Sequence, residues 1–303
     1  MTTPRRLGAI ELGGTKCVAA IGDDAAHLIA QTRVPTTSVG ATLGALVSFF
    51  EAQRAALGPL EAIGIGSFGP LDLDPASPRH GWITTTPKPG WADVDVVGLF
   101  LEALGVPVAI DTDVNAAALG EWRHGAARDA DVVVYVTVGT GIGGGVLVHG
   151  RPLHGLVHPE IGHLRLPRDR QTDPFGGVCP FHGDCLEGLA SGPAMAARWG
   201  QPAETLPADH PAWTLEAHYL ALALQNVVCT LSPRRIVLGG GVMEHAGLLA
   251  RVRDALGRLL NGYVQAPAIL HAMDQYVVAP GLGAHAGVVG ALELAARIGT
   301  RPS

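Results

Sequence analysis

Aromatic residues are scarce in this chain: phenylalanine, tyrosine and tryptophan together make up 5% of its 303 residues. The bulk of any core must come from alanine, valine and leucine with glycine between them, an ordinary globular composition. Basic charge is also short. The formal net charge is −6 with no basic stripe or charged tail, which argues against nucleic acid as a main partner. Long apolar runs are missing too. The longest, around LALALQNVVCTL, is interrupted by Gln225 and Asn226 and falls short of membrane-spanning length. The opening MTTPRRLGAIELGG carries two arginines but no apolar h-region, so it does not read as a signal peptide. These absences lead us to expect a soluble, cytoplasmic protein with no nucleic-acid and no membrane partner.

Cysteine is sparse as well, at four residues, which is poor evidence for disulfides in a cytoplasmic chain. Cys17 and Cys229 lie in apolar surroundings and read as packing residues. Cys179 and Cys185 differ, because CPFHGDCLEG places a histidine and two carboxylates beside them. Cys179, His182 and Cys185 are three metal-type ligands in search of a fourth. A disulfide between the two cysteines and a metal site completed by His154, His158 or His163 are the competing readings.

Against this background a pattern repeats. LGAIEL runs into GGTK and then CVAAIG; VVVYVTV runs into GTGIGGG and then VLVHG. Each is an apolar run, a glycine turn and a second apolar run, the signature of a β-hairpin. Gly139 to Gly144 formally matches G-x-G-x-x-G, but Val146, Leu147 and Val148 continue as a strand where a dinucleotide fold needs a helix. That excludes the Rossmann reading. Helical patterns fall at DVNAAALGEWRHG, CLEGLASGPAMAARWG, TLEAHYLALALQNVVCTLS, GLLARVRDALGRLLNGY and AHAGVVGALELAARIG, with short strands AIGIGSF, VPVAIDTD, RRIVLGGG and YVVAPG among them. Alternating strands and helices with two hairpins predict an α/β protein of two related halves.

Glycine turns serve hairpins in any protein, so either turn alone carries little. Together with a third, Gly239-Gly240-Gly241 after the strand Arg235–Leu238, they suggest phosphate binding. Backbone N–H groups can approach phosphate oxygens there, and hydroxyls and Lys16 add donors.

The ordered series ELGGTK, DTDVNAA, VTVGTGIGGG, HPEIGH, CPFHGDCLEGLASGPA and IVLGGGV resembles the ROK family of sugar kinases over nearly the whole chain. The resemblance implies a duplicated actin-like, ribonuclease-H-like ATPase fold with two lobes and a central cleft. The small lobe would span residues 1–117, with 286–303 packing back on it, and the large lobe residues 118–285. It implies ATP-dependent phosphorylation of a hexose by a homodimer. Glu11 and TPKPGW tilt the resemblance toward the fructokinase branch, with glucose, mannose or N-acetylhexosamine as alternative substrates. The same family includes sugar-responsive repressors, which carry a helix-turn-helix ahead of the kinase-like portion; ELGG begins ten residues in, which disfavours that reading.

The resemblance also assigns residues. Asp113, two before Asn115 and following the strand VPVAI, takes the place of the family's general base. Phosphoryl transfer to an alcohol needs such a carboxylate. As a plain helix N-cap it would be equally at home by itself. Asp111 is left as a structural residue, and Thr112 stands where the family has an asparagine. Ser67, Gly69, Asn115, Glu160 and Glu187 would contact the sugar. Gly13, Gly14, Thr15 and Lys16, then Gly139, Thr140, Gly141, Gly143 and Gly144, then Pro193 and Gly239, Gly240 and Gly241 would hold ATP. Glu11 would hold Mg²⁺ through water. The family's structural zinc would be bound by His163, Cys179, His182 and Cys185, with His182 again as in the fructokinase branch.

Overall fold

The computed structural model describes residues 5–23, 27–128 and 130–299. The chain forms two compact units. Unit 1 comprises Met1–Arg123, Pro152–His158 and Ala284–Ser303; unit 2 comprises His124–Arg151 and Pro159–Gly283.

In unit 1 the LGAIEL and KCVAAIG runs form β1 (Leu7–Leu12) and β2 (Lys16–Gly22), paired antiparallel across the turn at Gly13–Thr15. Both strands are apolar almost throughout and largely buried, as sheet-centre strands must be. A third strand, β3 (Leu28–Pro35), goes unflagged by the hydrophobic pattern; its sequence LIAQTRVP mixes polar and apolar residues because it is the sheet edge. After α1 (Val39–Leu57), β4 (Ala62–Ser67) pairs parallel with β1. A small hairpin, β5 (Trp82–Ile83) with β6 (Val94–Asp95), precedes α2 (Val96–Leu104). Strand β7 (Val108–Thr112) then pairs parallel with β4 and runs directly into α3 (Asp113–His124). The sheet order is β3-β2-β1-β4-β7.

Strand β4 explains how helices cover both faces of this sheet. Side chains alternate along a strand. Ile63 and Ile65 enter the apolar cluster with Leu43, Leu46 and Phe50 of α1 and Phe100 of α2. Gly64 and Gly66 point the other way, where a Cβ would collide with the backbone of Ala291 and the side chain of Ala116. The absence of side chains on that face lets the last described helix (Ala286–Ala296) lie close against β1 and β4.

Unit 2 repeats the scheme. Strands β8 (Val132–Val138) and β9 (Ile142–Val148) form the second hairpin, and β10 (Arg151–Pro152) extends the edge. Strands β11 (Arg235–Gly239) and β12 (Val277–Val278) add in parallel, giving the order β10-β9-β8-β11-β12. Each sheet is thus a hairpin extended beyond its first strand by two strands parallel to it, and the repeat read from the two glycine turns is a repeat of whole sheets. The segment CLEGLASGPAMAARWG, one helix by pattern, is two: α4 (Leu186–Ala190) and α5 (Gly192–Trp199). Ser191 breaks it in extended conformation and caps α5, its hydroxyl accepting from the Ala194 N–H at 3.3 Å, with Pro193 in the first turn. The long apolar run becomes α6 (Ala212–Leu231), buried over most of its length and packed against α7 (Leu248–Leu260).

Candidate functional site

Register gathers the catalytic candidates of unit 1 on one sheet edge. Glu11, Gly66 and Asp111 form one rung across β1, β4 and β7, and Leu12, Ser67 and Thr112 form the next. All three strands are parallel there, so the Gly13–Lys16 turn, the Ser67–Gly69 segment and Asp113 all emerge at their carboxyl ends, where α/β proteins place their ligands.

Asp113 opens α3, and one of its carboxylate oxygens accepts from the Val114 N–H at 2.9 Å. Burial pushes its carboxyl up to about 6. Glu11 is pushed up to about 7, first by burial and then by the negative charge of Asp113, with Lys16 and Arg33 pulling it back. A Cβ at Gly287 would lie 2.6 Å from the Glu11 carboxyl carbon, so the helix Ala286–Ala296 leaves room for this carboxylate by having glycine there. Two partly buried acids with raised pKa values at one sheet edge are what a proton acceptor and a cation site require.

Asp111 is buried and heavily engaged. Its carboxylate accepts from the Thr112 N–H (2.8 Å) and the Asn115 side-chain amide (2.7 Å), and pairs with His154 Nε2 at 3.1 Å. This contact raises the His154 pKa. Asn115 is therefore a buried partner of Asp111, and the Thr112 hydroxyl accepts from its N–H at 3.1 Å. The Ser67 hydroxyl, fully buried, donates to the Phe68 carbonyl at 2.8 Å. His158 is also accounted for in unit 1, where its Nε2 accepts from the Leu71 N–H at 3.1 Å.

The glycines of the first turn differ in purpose. A Cβ on Gly13 would strike the Lys16 carbonyl, so Gly13 is needed to close the turn. A Cβ on Gly14 would meet nothing within 4 Å. Space above Gly14 is open to a ligand.

Unit 2 holds a cavity of about 750 Å³. Gly139, Thr140, Pro193 and Gly241 all line it, so three separate glycine or proline turns converge on one place. Gly240 sits beneath, at φ +95° and packed on the Val138 backbone, while Gly241 is open. Gly143 and Gly144 are ladder residues of β9, opposite Thr137 and Val136. Sequence patterns missed Trp213 and His245, whose rings stack 3.6 Å apart at the cavity wall, and the exposed carboxylates Glu204 and Glu244. No spacing in the sequence links α6 to the loop after β11; only the fold does.

Glu187, in the first turn of α4, accepts from the Ile142 N–H at 3.0 Å and so ties that helix to the tip of the second hairpin. Cys185, two residues before it, belongs to a cluster of ligand-type atoms. His163 ends a short 3₁₀ turn (Ile161–His163), Cys179 and His182 sit in a tight turn closed by reciprocal Cys179–Gly183 backbone bonds, and Cys185 caps α4. Their ligand atoms all lie within 4.8 Å of one another. His163 Nδ1 is 3.4 Å from Cys185 Sγ, 3.8 Å from Cys179 Sγ and 3.3 Å from His182 Nδ1, which is 3.7 Å from Cys179 Sγ. A tetrahedral zinc with the usual Zn–N and Zn–S bond lengths has edges of about 3.3–3.8 Å. The four residues fit that ion. Both cysteines are free thiols. Behind the cluster, Asp184 is clamped by Arg165 (2.6 Å), Arg168 (3.0 Å) and Arg170 (2.6 Å), which hold its carboxyl below the usual range despite burial.

These features describe a two-unit α/β protein with a glycine turn in each unit, a carboxylate edge and a cluster of metal-type ligands. The sequence profile of the ROK family matches residues 7–298, and the chain belongs to that family. The fructokinase of Zymomonas mobilis is 48% identical over 294 residues, covering 95% of each chain. Among solved structures, the ROK hexokinase from Thermus thermophilus superposes with a TM-score of 0.76 at 33% identity, covering 96% of this chain and 97% of that one. A ROK family glucokinase from Streptomyces griseus, solved with glucose and AMPPNP, follows at 0.73 and 27% identity, covering 96% and 99%.

Proposed function

We propose that this chain is an ATP-dependent hexose kinase that converts D-fructose to fructose 6-phosphate. The observation that carries the sugar assignment is the steep gap in identity between the fructokinase and the glucokinase relatives, each matched over nearly full length. The site chemistry supports the reaction class. In this reading the Asp113 carboxylate accepts the proton of the sugar 6-hydroxyl as the oxygen attacks the γ-phosphorus, and the bond to the β–γ bridging oxygen breaks to release ADP. A carboxyl near 6 is mostly ionised at neutral pH yet basic enough to take a proton as the new bond forms. Glu11, whose pKa is raised by burial and by Asp113, would ionise fully beside a cation; it would hold Mg²⁺ through water, and that ion would offset the charge of the phosphates. The unit 2 cavity takes the nucleoside, with the amides at Gly139, Thr140 and Gly241 toward its phosphates.

Glu160 and Glu187 are assigned to the sugar hydroxyls, as is the Ser67–Gly69 segment of unit 1; Asn115, bonded to Asp111, holds that carboxylate in place. His163, Cys179, His182 and Cys185 would hold a structural zinc, which would order the segment that carries Glu187. A cytoplasmic homodimer completes the proposal. Product identification by ³¹P NMR tests it: a single 6-phosphomonoester of fructose is expected, and a 1-phosphate or an unreacted sugar would sink the assignment.

A further inference from the structure

The chain has only two lysines among its twenty-one basic residues, Lys16 and Lys88. Both are at the first glycine turn. Lys16 is exposed at the start of β2. Lys88 comes from the distant Thr86–Trp91 stretch, the TPKPGW segment, and is half-buried. Its Nζ donates to the Gly14 carbonyl at 2.6 Å and to the Thr36 carbonyl at 3.2 Å.

The surroundings fix this ammonium in place. The Thr36 hydroxyl donates to the Gly13 carbonyl at 2.7 Å, and the Thr36 N–H to the Thr15 carbonyl at 2.9 Å. Nearby, the Trp91 indole N–H donates to the Thr37 carbonyl at 2.9 Å, and Trp91 is fully buried against Phe68. The turn, the end of β3 and the TPKPGW segment are thus bonded at several points, with Lys88 at the centre. Two consequences follow from elementary electrostatics. The Gly14 carbonyl, which would repel an anion, is turned toward a cation and neutralised. The ammonium's own charge is held one residue's width from the amide groups of the turn, where a flexible surface lysine would be free to leave.

We propose that Lys88 is a positioning residue for phosphate binding: it locks the Gly13–Lys16 turn in its anion-accepting shape and supplies a fixed positive charge beside it. This deepens the kinase reading and rests on that turn being a phosphate site. The choice of lysine in a chain that otherwise uses arginine has a geometric reason. A compact ammonium can sit between two carbonyls, whereas the planar guanidinium fork is too large for that gap and prefers carboxylates and phosphates.

Calorimetric binding of Mg·AMPPNP without sugar, alongside steady-state kinetics, tests the proposal on the full chain. For Lys88→Met we expect AMPPNP binding and kcat/KM for ATP to fall on the order of tenfold to a hundredfold, since small misplacements of a reacting group cost that much. The fructose KM should stay within about twofold, in keeping with a residue that acts on the phosphate turn alone. Lys88→Arg should recover part of the ATP term, and thermal melts of both variants monitor folding. AMPPNP affinity unchanged in Lys88→Met overturns the proposal, and so does a loss in which ATP and fructose KM rise together with a lowered melting temperature, which marks a purely structural lysine. A wild-type chain that binds no AMPPNP defeats the kinase reading itself, independently of either variant.

Discussion

At the scale of single residues, two carboxyls with raised pKa values set the expected behaviour. Asp113 must be ionised to accept a proton, so the rate should fall as pH drops through about 6. Asp113→Asn should lower kcat on the order of 10²–10⁴-fold, the usual contribution of a general base, while AMPPNP binding persists. Retention of wild-type turnover and of the acid limb in that variant would remove Asp113 from the role. Glu216 makes a separate point. It is buried in α6 with neither carboxylate oxygen bonded, and burial raises its pKa well above the ordinary 4.5. A group with a raised folded pKa keeps its proton in the native state while the unfolded chain loses it, so stability falls as pH rises above 4.5. Glu216→Gln, which mimics the protonated form, should therefore melt higher than wild type at pH 8 and alike at pH 4.5. A variant no more stable than wild type at pH 8 would contradict this. Gly14→Ala should fold normally, because its Cβ meets nothing, yet weaken ATP on the order of tenfold by filling the approach to the turn. Unchanged ATP kinetics in that variant would show that phosphate does not come there.

At the scale of elements, the cysteine–histidine loop is the segment with the most to lose. Its residues form only short turns, and Cys179, His182 and Cys185 are held by a handful of backbone bonds. Cys185→Ser should abolish bound zinc by elemental analysis and weaken fructose through Glu187, whose helix begins at Leu186. Stoichiometric zinc in that variant would refute the ligand set. How far this loop was legible depends on the kind of signal. Cys179, His182 and Cys185 stand close enough in sequence to be noticed, but choosing among His154, His158 and His163 from spacing alone was impossible. The fold separates them by partner: His154 meets Asp111, His158 meets Leu71, and His163 meets the thiols. Hairpins were readable because an apolar run, a glycine turn and a second apolar run have a local cause. Strand β3 was not, since an edge strand is half solvated and its pattern is diluted. The single predicted helix over 185–200 failed at Ser191 because apolar periodicity continues across a cap that is itself a local exception.

At the scale of the whole molecule, the repeat is the main regularity. Two glycine hairpins seen as an echo in the sequence turn out to seed two five-stranded sheets of matching order. The six short motifs spread along 303 residues fall mostly at strand ends, turns and helix starts, where α/β proteins place their ligands. What no motif contains is the Trp213–His245 side of the unit 2 cavity. Trp213 and His245 come from distant elements and meet by tertiary packing alone. The choice of sugar is carried here by overall similarity to fructokinases. The direct test is therefore ADP release at saturating Mg·ATP across fructose, glucose, mannose and N-acetylglucosamine. kcat/KM for fructose should exceed each of the others by at least about tenfold, roughly the net worth of one hydrogen bond. Equal or faster turnover of glucose, mannose or N-acetylglucosamine would contradict it.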